Sequence, residues 1–150
     1  MKRKILKTLL ICAAIILPIA LLCSINAINL LVMQQEMLSI IKQSEGVTIL
    51  DDACVYGNLN GNGNGINYYG AALVTSKSEA ALEELVESLD GRFELAGYAL
   101  QNGKRVESKY LEHRSLRFEY NDFLTGQKYY IVYFYNSQSN LSNYLDIAGH

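Results

Sequence analysis

An uncharged, apolar stretch near the N-terminus constrains the architecture of this chain more than any other feature. Residues 8–33 contain no charged side chain, and the seven residues before them carry four cations and no acid. In a helix these 26 residues span about 39 Å, against a hydrocarbon core of about 30 Å. The pattern predicts a basic cytoplasmic segment over 1–7 and a transmembrane signal anchor over 8–33.

Two other fates of this stretch stay open. Cleavage after Ala27, which ends a passable small-residue site, would release a secreted protein. Lipid attachment at Cys23 is less well supported, because Leu21 and Leu22 stand where a small residue is expected. Apolar sequence resumes directly after Ala27, as it does in a helix that continues across a membrane, so the uncleaved anchor is favoured.

The rest of the chain is acidic. Setting aside the four N-terminal cations leaves nine Lys and Arg against 15 Asp and Glu, a net charge near −6. The basic N-terminus is therefore predicted to stay in the cytoplasm and the acidic part to lie outside. An acidic domain is repelled by phosphate backbones, so nucleic acid is excluded as a partner. Only Cys54 lies beyond the apolar stretch, so the outer domain cannot contain a disulfide of its own.

Beyond the anchor the sequence predicts an α+β domain with a mainly antiparallel sheet and one covering helix. An amphipathic helix over 34–46, ended by Gly46, extends the anchor towards the domain at 47–150. The covering helix is predicted to begin at a capping box of Ser76 and Glu79. The chain after residue 101 is ambiguous between a hairpin at Asn102–Gly103 and a short helix through Val106, Tyr110 and His113.

A loop of alternating Asn and Gly, "GNLNGNGNG", lies between two predicted strands. Phosphate-binding glycine loops lead into a helix, whereas a strand follows here, and amide oxygens alone make a poor calcium site. Asn and Gly tolerate turn conformations, so the loop is predicted to turn the chain. Its tip, with Asn62 and Asn64, is a candidate contact for a partner. No metal or cofactor is predicted.

The last strand, "KYYIVYFYN", is unusually rich in tyrosine. Alternation predicts one face with Tyr129, Ile131, Tyr133 and Tyr135, and an opposite face with Tyr130, Val132 and Phe134. One interpretation is a core strand that is packed on both faces. The other is an aromatic surface for a protein or polysaccharide partner, with Tyr129, Tyr133 and Tyr135 as candidate partner-binding residues.

An enzyme is the alternative function. Cys54 and His113 could form a nucleophile and base, but Cys54 lies within a predicted strand instead of at a helix N-terminus that would activate it. No catalytic residue is therefore predicted. The sequence indicates a membrane-anchored, extracytoplasmic binding or accessory protein of a bacterial envelope. Its expected partner is a protein or a cell-envelope component, and the sequence does not determine its oligomeric state. A secreted inhibitor or immunity-type protein, released after Ala27, is a further alternative.

Overall fold

The computed structural model of the chain describes residues 2–59 and 65–138. Within α1, the N-terminal helix, the side chains of residues 2–13, 15 and 19–23 are not described, nor is that of Gln138. The predicted contact residues Asn62 and Asn64 lie outside the described residues.

The described chain is an α+β domain, as predicted from the sequence. Its elements are α1 (Lys2–Gln43), β1 (Val47–Gly57), β2 (Ile66–Ser76), α2 (Glu79–Leu89), β3 (Leu95–Gln101), β4 (Arg105–Val106), β5 (Leu116–Arg117) and β6 (Tyr129–Gln138). An antiparallel sheet has the strand order β1-β2-β6-β3, and β4 and β5 form a separate two-stranded ribbon.

The central position of β2 follows from its sequence, which is apolar on both faces. Residues 66–74 are all buried, because β2 is flanked by β1 and β6 and covered on both sides. The β1–β2 register runs from Val47 opposite Ser76 to Gly57 opposite Asn67. The two strands therefore form one long hairpin, which the Asn-Gly loop closes as predicted.

The long helix α1 is part of the domain core in its C-terminal half. Among the described side chains of α1, Asn26 is the first that is buried, and its Oδ1 accepts a hydrogen bond of 2.8 Å from the Tyr68 hydroxyl. Leu30, Met37 and Ile41 continue the buried side. The helix ends at Gln43, and Gly46 adopts a φ of 82°, which matches the predicted helix stop. Contact with the domain thus begins inside the predicted anchor, before the predicted extension at 34–46.

The long N-terminal helix of the prediction is present, but its membrane-spanning part is not confirmed. Among the residues that the structure describes, no helix is long and apolar enough to cross a membrane. The described side chains in the N-terminal half of α1 include Ile16 and Leu17, and both are exposed.

The second helix begins two residues later than the sequence predicts. Ser78, not Ser76, is the N-cap, and its Oγ accepts a hydrogen bond of 3.2 Å from the backbone N–H of Ala81. The predicted capping box is wrong because Ser76 still belongs to β2, where it pairs with Val47. The apolar stripe of α2 is buried at Leu82, Leu85 and Leu89.

Helices cover one face of the sheet, and an irregular covering segment, residues 102–128, covers the other. The chain turns at Gly103, with a φ of 85°, but β4 then pairs with β5 instead of returning along β3. Residues 102–114, all of which are described, contain no helix. Asp51 ties the covering segment to β1, because its Oδ2 accepts backbone N–H bonds from Glu119 (2.6 Å) and Tyr120 (2.8 Å).

Candidate functional site

The two faces of β6 divide as the alternation predicts. Tyr130, Val132 and Phe134 lie in the core beneath the helices. The opposite face lies beneath the covering segment, with Tyr129, Ile131, Tyr133 and Tyr135. The tyrosine-rich strand is therefore packed on both of its faces.

Two of the three candidate partner-binding tyrosines are interior residues. Tyr129 and Tyr135 are only 5% and 7% exposed. The Tyr135 hydroxyl donates to Asn67 Oδ1 at 2.8 Å, and the Tyr129 hydroxyl accepts a bond of 2.7 Å from the backbone N–H of Leu124. A partner contact at these two residues stays a prediction, and it would require the covering segment to move.

Tyr133 differs because it is only partly buried. It belongs to a tyrosine cluster, which we define as Tyr69, Tyr110, Tyr133 and Tyr135. Tyr69 stacks on Tyr133 with ring centroids 5.7 Å apart, and Tyr110 stacks on Tyr135 at 4.8 Å. A Cβ at Gly97 would come within 2.7 Å of the Tyr133 hydroxyl oxygen, so this glycine makes room for the ring on β3.

The rim of the tyrosine cluster consists of Tyr110 and Tyr133, which are partly exposed, with the exposed Lys109 beside them. The Lys109 ammonium lies 5.0 Å from the Tyr110 ring centroid, within cation–π range. The pKa of Tyr133 is raised chiefly by burial and further by the neighbouring Tyr110, and it is lowered by Lys109. Burial also raises the pKa of Tyr69. The raised pKa keeps the Tyr133 hydroxyl protonated near neutral pH, so this hydroxyl can form hydrogen bonds but does not act as a general base.

The Asn-Gly loop is attached at the end of the domain from which α1 projects. Residues 60–64 join the buried Leu59 to Gly65, beyond the strand ends where Gly57 pairs with Asn67. The nearby Tyr68 is bonded to Asn26 of α1, which is buried. A partner contact at Asn62 and Asn64 stays a prediction.

Cys54 and His113 are not brought together. Cys54 packs with the core on the helix-covered face, whereas the exposed His113 belongs to the covering segment on the other face. The backbone N–H of His113 donates to the Leu59 carbonyl at 3.1 Å. Burial, followed by the nearby Asp52 carboxylate, raises the pKa of the Cys54 thiol. Among the described residues, no three His, Cys, Asp or Glu side chains gather in a way that could hold a metal ion.

An open groove of about 390 Å³ lies between α1 and α2. Its walls include Glu45 and Glu84, and an Arg92–Glu36 ion pair of 3.1 Å lies beside it. Both ionic side chains of that pair are substantially exposed to solvent. Small-molecule sites are usually enclosed and mainly apolar, and this charged, open groove does not have that character.

One surface was missed by sequence reasoning. The outer face of α1, which we define as Ile25, Ile28, Leu31 and Val32, is 42–61% exposed and lies opposite the side that packs on the sheet. In the sequence these residues fall within the predicted anchor, 8–33. The signal that could have separated the outer face from the rest of the stretch is the polar Asn26, which is buried against the domain.

The fold and these surfaces define a class of protein, an α+β domain built directly onto one long N-terminal helix. Comparison of the chain with protein-family models, curated proteins and solved structures gives no match. No activity, ligand or partner is therefore transferred to it from a relative.

Proposed function

We propose that this protein is a single-pass, membrane-anchored binding or accessory protein whose domain lies outside the cytoplasm and has no enzymatic activity. The observation that carries the proposal is the continuity of α1, a single helix of 42 residues. Residues 26–43 are built into the domain, and 18 uncharged residues, 8–25, precede them. In a helix those 18 residues span about 27 Å, close to the hydrocarbon thickness of about 30 Å. The anchor rests on their sequence, since many of their side chains lie outside the described residues.

The charge distribution supports the orientation. Four cations and no acid precede residue 8, and all 15 Asp and Glu follow residue 33. Cations flanking a membrane helix favour the cytoplasmic side. The acidic domain then lies on the outer side.

A binding role is supported by where the chemically capable side chains lie. Cys54 and His113 occupy opposite sides of the sheet, and the thiol pKa is raised instead of lowered. A raised pKa leaves less of the nucleophilic thiolate at neutral pH. The rim, Tyr110 and Tyr133 beside Lys109, offers aromatic area with polar ends, which suits a protein or cell-envelope partner.

The anchor is tested by a pair of charged substitutions in the full chain. Ile16→Asp with Leu17→Asp places two carboxylates in the proposed span, at an expected cost of several kcal/mol. We expect this variant to leave the membrane fraction on alkaline washing, whereas the wild-type chain stays. Gln35→Asp with Ser39→Asp, on the exposed side of the domain-packed half, is the matched control and should stay too. Extraction of the wild-type chain, or equal retention of all three, would contradict the anchor.

The partner surface is tested by photo-cross-linking in intact membranes. A photoreactive residue at Tyr110 should give a discrete adduct that Tyr133→Ser abolishes. The same probe at Leu124, which is 68% exposed on the covering segment, should give none. Identical adducts from both positions, or none from either, would contradict this surface. Unchanged hydrogen exchange in β2 would show that Tyr133→Ser leaves the domain folded.

A further inference from the structure

We infer that the outer face of α1 is buried in the interfacial layer of the lipid bilayer, so that the domain sits on the membrane by the end that contains Gly57. The inference rests on the proposed anchoring and adds how the domain is placed. The occupant of this face is the lipid surface, not solvent and not a second copy of the chain.

The exposed side of α1 changes character abruptly. Ile28, Leu31 and Val32 are all about half or more exposed. One turn further on, the exposed side becomes polar, with Gln35, Ser39 and Lys42. Contiguous exposed apolar side chains usually mark a contact surface. This face continues directly from the uncharged stretch assigned to the membrane, which identifies lipid as its neighbour.

The opposite side of the same two turns is already covered by the domain. Asn26 is bonded to Tyr68, Leu30 is buried, and the Asn136 side-chain amide donates to Met33 Sδ at 3.5 Å. If lipid covers the outer face as far as Val32, the strand ends that pack on the inner side lie at the same depth. The domain then rests against the bilayer and does not stand off on a free stalk.

The length of the apolar side agrees with this depth. Residues 8–32 are 25 residues, or about 37 Å of helix. A bilayer has a hydrocarbon core of about 30 Å and is about 40–45 Å thick with its headgroups. The helix therefore crosses the core and continues into one interfacial layer, and Gln35 is the first outward residue in water.

The end of the domain at this depth carries groups that suit an interface. Tyr56 is partly buried near the end of β1, and the Arg114 guanidinium lies 3.4 Å from the position that a Cβ on Gly57 would occupy. Tyrosine rings favour the membrane–water boundary, and arginine pairs with phosphate.

The chain contains no tryptophan, so a single introduced tryptophan reports its own surroundings. Full-length Ile16→Trp, Ile28→Trp, Val32→Trp and Ser39→Trp variants are reconstituted into phosphatidylcholine–phosphatidylglycerol vesicles with or without brominated acyl chains. We expect brominated lipid to remove most of the fluorescence at positions 16, 28 and 32 and to leave Ser39→Trp unaffected. Aqueous iodide should quench only Ser39→Trp.

Each other outcome overturns a distinct claim. Quenching by brominated lipid at position 16, with iodide access at 28 and 32, would leave the anchor intact and refute the lipid contact. Shielding of positions 28 and 32 from both quenchers would assign the face to a second copy and refute it as well. Iodide access at position 16 would refute the anchor and the inference together. Matching circular dichroism spectra would show that all four variants are folded.

Discussion

The side-chain amide of Gln34 in α1 donates a hydrogen bond to the backbone carbonyl of Ala71, 3.2 Å away in the middle of β2. Gln34 is only 1% exposed, and the same amide also reaches Asp52 Oδ2 at 3.1 Å. Buried hydrogen bonds are lost if the partners shift, so this side chain fixes the position of the helix along the sheet. Through Gln34 the sheet therefore sets how far α1 extends beyond the domain.

Gly70 makes room for that amide, so Gly70→Ala should destabilise the domain. A Cβ at this position would overlap Gln34 Oε1 and the Phe134 ring. Overpacking of this kind costs about 1–3 kcal/mol. We expect a drop of that size in the free energy of unfolding by urea, measured in detergent by tyrosine fluorescence. Gly65→Ala is the control, because no atom of the described residues beyond its chain neighbours lies within 4 Å of its Cβ position. Equal stabilities of the two variants would contradict the proposed fit.

Asp51 should hold the covering segment against β1. Asp51→Ala leaves the backbone N–H groups of Glu119 and Tyr120 without their acceptor, a loss of about 1–3 kcal/mol. We expect faster hydrogen exchange at these two amides while exchange in β2 is unchanged. Asp122→Ala, an exposed acid on the same segment, should leave both amides protected. Unchanged exchange in Asp51→Ala would show that the segment is held by its apolar contacts alone.

Two tyrosine substitutions separate the interior of the cluster from its rim. Tyr135→Phe removes the donor to the buried Asn67 Oδ1 and should cost about 1–3 kcal/mol of unfolding free energy. Tyr133→Phe removes a hydroxyl from a partly exposed ring and should change stability by no more than about 0.5 kcal/mol. Urea unfolding of the two variants tests this. A larger loss of stability in Tyr133→Phe than in Tyr135→Phe would contradict the assignment of Tyr135 to the interior and Tyr133 to the rim.

The Cys54 thiol should react slowly near neutral pH. Its pKa is raised by burial and then by Asp52, so the reactive thiolate becomes abundant only at a higher pH than for a free cysteine. In a Cys12→Ala, Cys23→Ala background, the labelling rate should therefore rise at a higher pH than for a small thiol. Asp52→Asn should move the rise in labelling rate to a slightly lower pH. The shift is small because burial, which is the larger cause of the raised pKa, is unchanged. Labelling of Cys54 at pH 7 as fast as that of a free thiolate would instead favour the alternative of an enzyme with Cys54 as its nucleophile.

Local patterns in the sequence were sufficient to predict β1, β2 and β6 and the two faces of β6, whereas the chain after residue 101 stayed ambiguous. Alternation along 129–135 placed each side chain on its observed face, and the doubly apolar β2 is central. The leucine stripe of α2 likewise lies in the core. These features depend on periodicity within one element, which a sequence displays directly.

The features that were missed depend on contacts between distant elements. Gln34 bonds to partners in β1 and β2, which the periodicity of its own helix does not reveal. Ser78 became the N-cap because strand pairing extends β2 to Ser76. The covering segment has little regular structure, so its burial of the tyrosines could not be predicted from a helical or strand period. The glycines in mid-strand, Gly70 and Gly97, are local signs of a close approach.

The central claim is that the chain stays anchored in the membrane with its domain outside. The most direct test is the intact mass of the protein recovered from alkaline-washed membranes and from the medium of bacterial cells that express it. We expect the full-length mass in the membrane fraction, with the domain digested by protease added outside spheroplasts. A mass that lacks the first 27 residues and is found only in the medium would contradict the anchor and favour a secreted protein.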